Sequence, residues 1–240
     1  MGQLRQLIKQ SLTTALPQQA LLSRGRRLRS NEGADRPSLC AVSLTFDDGP
    51  HPDFTPQLLD NLASSDIRAT FFIVGDKARQ HPEIVRRIAD EGHEIGNHTW
   101  SHSEPRKTSA RKFREEVCRT NDVLFELTGQ RCRLTRPPKG ELSPGKILCL
   151  LQLRQTIVLW NRDPQDYLMK SWADMEFWCR SYEPNHGDIV LMHDNHSFAA
   201  TAAALAGTLP QLSEVKFCRV SEWLRNTQNN NTLEACRSLS

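Results

Sequence analysis

The sequence predicts an α/β fold, a distorted (β/α)7-type, TIM-like barrel. Three observations lead there. Short apolar runs alternate with helical patterns about seven times along the chain. A helix between consecutive strands dictates right-handed crossovers and parallel pairing. Polar residues suited to hydrolysis recur where the predicted strands stop, and in an α/β barrel those strand ends converge on one rim. An open doubly wound sheet is the structural alternative. Gly75 and Gly96 stand isolated, and no glycine-rich phosphate loop supports nucleotide binding.

Each unit has a local reason. Ala41 to Phe46 reads as a buried first strand, and Leu58, Leu59 and Leu62 mark the helical face that follows. Ala69 to Val74 is the second strand. Pro82 opens a helix with Ile84, Val85, Ile88 and Ala89, and Gly92 suits its C-cap. His93 to Gly96 is a short third strand. A long helix is expected over Ser109 to Leu127, with Phe113, Val117, Asn121, Leu124 and Phe125 on its face and Gly129 ending it. Cys132 to Thr135 is the fourth strand. Ser143-Pro144 has first-turn chemistry for a helix through Leu153. Thr156 to Trp160 is the fifth strand, and Ser171 caps a helix with Met175, Trp178, Cys179 and Tyr182. Asp188 to Met192 is the sixth strand, before an Ala-rich helix from Phe198 to about Thr208. Val215 to Val220 is the seventh, and a last helix begins at Ser221.

A chain of 240 residues buries a substantial core. Three regions are expected: a basic N-terminal segment and linker over 1–38, a catalytic domain over 39–225, and an Asn-rich tail over 226–240. The net charge of +3 is too small to argue for nucleic acid. Met1 to Ser30 nevertheless carries Arg5, Lys9, Arg24, Arg26, Arg27 and Arg29 and no acid. Leu4, Ile8 and Leu12 recur there at helical spacing, so peripheral contact of residues 1–30 with an anionic membrane face is one reading, and a tail or docked helix is the other. The seven cysteines are scattered without a C-x-x-C pair, which argues against a disulfide framework. With no apolar h-region and no apolar stretch of about 18 residues, the expected location is cytoplasmic, with the basic segment at the inner membrane face. No obligate protein partner is evident.

The chemistry sits in short runs after the strands. His98 and His102 are four apart, a spacing that lets two imidazoles meet one ion from a helical turn or a tight loop. Asp47 and Asp48 are adjacent, so on extended backbone their side chains part. One can bind metal while the other faces the attacking water. Arg136 precedes Pro137-Pro138, a rigid stretch, and could hold a carboxylate or clamp substrate. His193 ends an apolar strand and suits a general acid. Taken singly, each has a blander reading: a solvated turn, surface histidines, an exposed ion pair.

Together these runs resemble the polysaccharide deacetylase family (the NodB homology domain, carbohydrate esterase family 4). Thr45-Phe46-Asp47-Asp48-Gly49-Pro50 is similar to its first motif, and His98-Thr99-Trp100-Ser101-His102 to its second. Arg136-Pro137-Pro138-Lys139-Gly140, Asp163-Pro164-Gln165-Asp166-Tyr167 and Leu191-Met192-His193 follow in the family's order. The resemblance implies a NodB homology fold that removes N-acetyl groups from N-acetylhexosamine glycans with one divalent metal, zinc first, with cobalt, manganese or nickel as alternatives. It implies Asp47 as base, Asp48, His98 and His102 as ligands, Arg136 orienting Asp47, and His193 as acid tuned by Asp163. Pro138, Lys139, Tyr167 and Leu191 would meet substrate. Lys139 stands where the family usually has an aromatic residue, and Tyr167 where it has Trp. The lysine keeps the backbone N–H implied for the oxyanion, and its cation would favour anionic glycans. Competing readings are an O-acetyl esterase or another metal amidase, and a catalytically silent sugar-binding barrel.

Overall fold

A computed structural model describes residues 20–24, 40–206 and 214–224. The basic amphipathic stretch, most of the linker, the end of the Ala-rich helix and the Asn-rich tail lie outside the described residues. Among the described residues eight strands form one sheet: β1 (Leu21–Leu22), β2 (Ala41–Asp47), β3 (Thr70–Ile73), β4 (Glu94–Asn97), β5 (Leu134–Thr135), β6 (Thr156–Val158), β7 (Asp188–His193) and β8 (Lys216–Phe217). Between them lie α1 (Phe54–Ser64), α2 (Gly75–Gln80), α3 (Pro82–Asp90), α4 (Ala110–Thr128), α5 (Pro144–Gln152), α6 (Trp172–Ser181) and α7 (Phe198–Ala206).

The strand order is β1-β6-β5-β4-β3-β2-β7, with β8 beside β2, and every pairing is parallel. The chain just past β6 then reaches β7. Arg162 bridges Val190, and Leu191 N donates to Arg162 O at 2.9 Å. That contact closes the sheet into the expected distorted barrel.

Alternation along the strands separates two environments. On β2, Val42, Leu44 and Phe46 pack outward in a cluster with Leu58, Leu59 and Leu62 of α1 and Ala199 and Ala203 of α7. On the other face Ala41 joins Phe72, Val158, Ile189 and Trp223. Ser43 accepts from Trp223 Nε1 on that face, and Asp47 tops it. β7 repeats the pattern, with Val190 and Met192 outward and Ile189 inward.

Helix ends follow their local chemistry. Ser109 and Ser143 accept from the N–H groups three residues on, Ser171 closes a capping box with Asp174, and Gly129 takes a left-handed C-cap at φ 68°.

Three expectations need correcting. Leu21 and Leu22, placed by sequence in the N-terminal segment, are strand β1. They pair with Ile157 and Val158 and are buried. Two residues carry no period of their own, so nothing distinguished them from the leucine spacing before them. Phe125, expected on the buried face of α4, is exposed, and Thr120 and Val123 are buried instead. The fourth and seventh strands shrink to Leu134–Thr135 and Lys216–Phe217, because partner strands rather than local apolar runs set their length.

Candidate active site

Register brings the chemistry together. Asp47 and His193 are directly paired residues on adjacent parallel strands. Both end their strands on the inward face, so one carboxylate and one imidazole meet at the same height on the rim. Thr45 and Leu191 pair one layer below. Leu191 is thus buried under the site rather than at its mouth.

Asp48 leaves the strand with φ 73°, which turns its carboxylate away from that of Asp47. Asp48 Oδ1 lies 3.4 Å from His98 Nε2 and 3.4 Å from His102 Nε2. The two imidazoles come from a tight loop after β4, with Thr99 at φ 67° and His102 at φ 49°. Asn97 Oδ1 accepts from Thr99 N at 2.7 Å. Glu116 of α4, itself buried, accepts from Ser101 N, Ser101 Oγ and Ser103 Oγ, and so pins the loop.

Three features fit this group to a cation. Asp48 Oδ1 is buried with no hydrogen-bond partner, an unusual and costly state for a carboxylate oxygen. His98 Nδ1 meets Arg136 O at 2.7 Å; a carbonyl only accepts, so Nδ1 carries the proton and Nε2 presents its lone pair toward Asp48. Asn195 Nδ2 donates to Asp48 Oδ2 at 3.2 Å, leaving Oδ1 to face the imidazoles. Burial alone would raise the Asp48 pKa, but His98, His102 and His193 together hold it far below the usual carboxylate range. Burial lowers the His102 pKa, so it is neutral and able to ligate. One carboxylate and two imidazoles form a ligand set open to water and a substrate oxygen, suited to zinc or a neighbouring transition metal.

Asp47 is held separately. Arg136 Nη1 donates to Asp47 Oδ1 at 2.7 Å and to Thr45 Oγ1 at 2.7 Å. Nε and Nη2 donate to Val158 O and Leu159 O, and the Phe72 ring lies 4.2 Å below. Arg136 is fully buried, and burial lowers its pKa against the opposing pull of Asp47. A buried charge held by four hydrogen bonds is a fixed positioning element. It occupies Oδ1 and leaves Oδ2 free, 3.7 Å from His98 Nε2 and beside the metal group.

His193 is paired with Asp166, not with Asp163. Its Nδ1 lies 2.7 Å from Asp166 Oδ1, and its backbone N–H donates to Asp166 Oδ2 at 2.7 Å. Asp166 is fully buried. Asp163 is exposed and accepts from Gln165 N, a local turn bond. A left-handed Gln165 (φ 58°) starts the short turn Asp166–Leu168 that swings Asp166 inward. Burial would lower the His193 pKa, but the Asp166 hydrogen bond and charge, with Asp47 and Asp48, push it to about 9. His193 is therefore protonated at neutral pH.

The other expected contacts surround this centre. Tyr167 is exposed and meets the His193 ring edge-on at 5.7 Å. Pro138 is buried at the turn carrying Lys139, whose φ is 56°. Lys139 Nζ binds the Glu104 carboxylate, so its cation is paired rather than offered alone to an anionic glycan. Asp194, next to His193, is buried and accepts from Thr55 Oγ1 at 2.7 Å. A Cβ on Gly49 would come within 2.1 Å of Asp194 Oδ2, so only glycine fits between the two aspartates. A cavity of about 460 Å3 opens at the other end of the barrel, lined by strand starts such as Glu94 and Thr156, and holds none of these residues.

Sequence reasoning missed Asp166, Asn195, Glu116 and Asp194 as parts of the site. Asp194 was visible as a polar residue in a strand-end motif. Asp166 stood in the fourth motif beside Asp163, whereas Asn195 and Glu116 act through hydrogen bonds that leave no sequence pattern.

Comparison with known proteins places the chain by its sequence and its fold. The family model described as polysaccharide deacetylase matches residues 35–156, which hold the first three motifs. A Bacillus cereus peptidoglycan-N-acetylglucosamine deacetylase is 41% identical over 126 residues, covering 52% of this chain and 46% of that protein. A second protein of the same description and organism is 36% identical over 193 residues, covering 77% of this chain and 88% of its own. The crystal structure of the Bc1960 peptidoglycan N-acetylglucosamine deacetylase, bound to a naphthalenyl N-oxidanyl-benzamide, superposes with a TM-score of 0.73 at 30% identity, over 85% of this chain and 92% of that one.

Proposed function

The chain belongs to the polysaccharide deacetylase family, and on that premise we propose that it removes N-acetyl groups from N-acetylglucosamine units of peptidoglycan or a related glycan, using one divalent metal, zinc first among candidates. The observation that carries this reading is the register pair: Asp47 and His193 at one height, flanking a carboxylate and two imidazoles that point at a common centre.

Asp48, His98 and His102 would hold the cation, which when bound supplies Lewis acidity toward the acetamide carbonyl and the attacking water. The remaining work falls to the chain's own residues. Asp47 Oδ2, left free by the Arg136 grip on Oδ1, takes a proton from the water as its oxygen bonds to the carbonyl carbon. The Lys139 backbone N–H is the candidate donor to the developing oxyanion. His193, charged and steadied by Asp166, gives its proton to the sugar nitrogen as the carbon–nitrogen bond breaks. Acetate and a free amine result.

The test is acetate release by the chelated and metal-restored protein from peptidoglycan, N-acetylglucosamine oligomers and acetylated xylan. Metal-restored release from the first two supports the reading. Release from xylan alone would make the protein an O-acetyl esterase, and no release from any glycan would make it a silent barrel.

A further inference from the structure

We infer that Asp166, His193 and His196 form a second, inhibitory cation site, which excess zinc fills and thereby shuts off the acid. This rests on His193 being the acid of the proposed reaction.

His196 follows the strand end by three residues and has no part in the proposed deacetylation. Its Nε2 lies 3.4 Å from Asp166 Oδ2. Donor atoms of Asp166, His193 and His196 all lie within 4.8 Å of one another. The second observation is chemical: both ring nitrogens of His196 are buried, and neither has a hydrogen-bond partner. A neutral imidazole carries one N–H and one lone pair, so each is left unanswered among the described residues. The ring is walled by His193 on one side and by Phe198 at 5.0 Å on another. A borderline-soft cation is the ligand that two imidazoles and a carboxylate select.

Occupancy would silence catalysis whichever nitrogen of His193 is taken. A cation on the nitrogen facing Asp166 replaces that proton, which leaves to solvent, and the remaining N–H belongs to an imidazole no longer able to become imidazolium. A cation on the other nitrogen blocks the donor itself. Asn195 ties the same loop to Asp48, so the two groups are neighbours yet share no ligand.

The experiment counts bound zinc. Chelated protein is titrated with zinc chloride by calorimetry, with elemental analysis after desalting, and acetate release is followed over the same range. Wild type should take two equivalents, one tight and one weaker by at least tenfold, with activity rising on the first and falling on the second. His196→Ala and His196→Gln should each take one and lose the fall. His98→Ala should lose the tight equivalent and keep the weaker. A single equivalent in wild type at saturating zinc would overturn the site, as would a second equivalent unchanged in both His196 variants. The count stands even if no glycan is hydrolysed, so failure of the deacetylase reading shows separately.

Discussion

Two Asp-His-His groups stand side by side on one rim, built from the same residue types, and they differ in what the hydrogen bonds leave free. In Asp48, His98 and His102, the carboxylate oxygen facing the imidazoles accepts nothing, and the backbone fixes the tautomer of His98. In Asp166, His193 and His196, the carboxylate is spent on N–H groups: those of His193 N, Tyr167 N and the His193 ring. The first is open to a cation as it stands, and the second holds a proton that a cation must displace. Residue type alone does not assign the work; the neighbours that orient each ring do.

The largest break in this comparison comes from emptying the first group. His98→Ala should abolish tight metal binding and lower acetate release by about a thousandfold or more, since the cation this group would hold supplies the Lewis acidity toward the carbonyl and the attacking water. Tight metal uptake by this variant would contradict the ligand set. Next, Asp47→Asn should keep its metal and lose on the order of 100-fold or more in kcat. The same change removes one partner of a buried ion pair, so a stability loss of about 3–5 kcal/mol is expected alongside. A metal count near one with kcat unchanged would remove Asp47 as the base.

Asp166→Asn sharpens the other half. The His193 pKa is raised in the folded protein, to about 9, so the proton is fully present at neutral pH and is lost as pH rises through that value. Without the Asp166 charge the imidazole falls back toward its ordinary range. The alkaline limb of the pH–rate profile should therefore move down, and the variant should lose more activity at pH ~8 than at pH ~6. An alkaline limb that stays in place would show that His193 is not the titrating acid. Smaller still, Asn195→Ala removes the bond that aims Asp48, and should weaken metal binding by about tenfold with kcat at saturating metal nearly preserved.

Legibility in the sequence divides along the same line. The strands of β2, β3 and β7 were readable because each carries its own apolar run. The caps at Ser143 and Gly129 were readable because capping is a one-turn affair. β1 escaped because its pairing with β6 is the reason it is a strand. Helix α2 escaped because six residues follow a strand directly, with no room for a helical period. In the site, Asp47, Asp48, His98, His102, Arg136 and His193 were legible as local runs at strand ends, and the fold brings all six together. Glu116 and Asn195 were not, because the hydrogen bonds that Glu116 accepts and Asn195 donates have no local signature.

The smallest expected effect is the most discriminating for that lesson. Asp163 and Asp166 lie three apart in one motif, and residue type offers no choice between them. The choice is made by the backbone: the left-handed Gln165 and the short turn after it send Asp166 inward beneath His193 and leave Asp163 outside, accepting from Gln165 N. Asp163→Asn keeps an oxygen for that bond, so activity should stay within about twofold of wild type, and stability within about 0.5 kcal/mol. The pH profile should not move, whereas in Asp166→Asn it should. If instead Asp163→Asn shifts the alkaline limb, the partner of His193 during turnover is not the one this fold presents, and the turn 163–168 must rearrange when substrate binds.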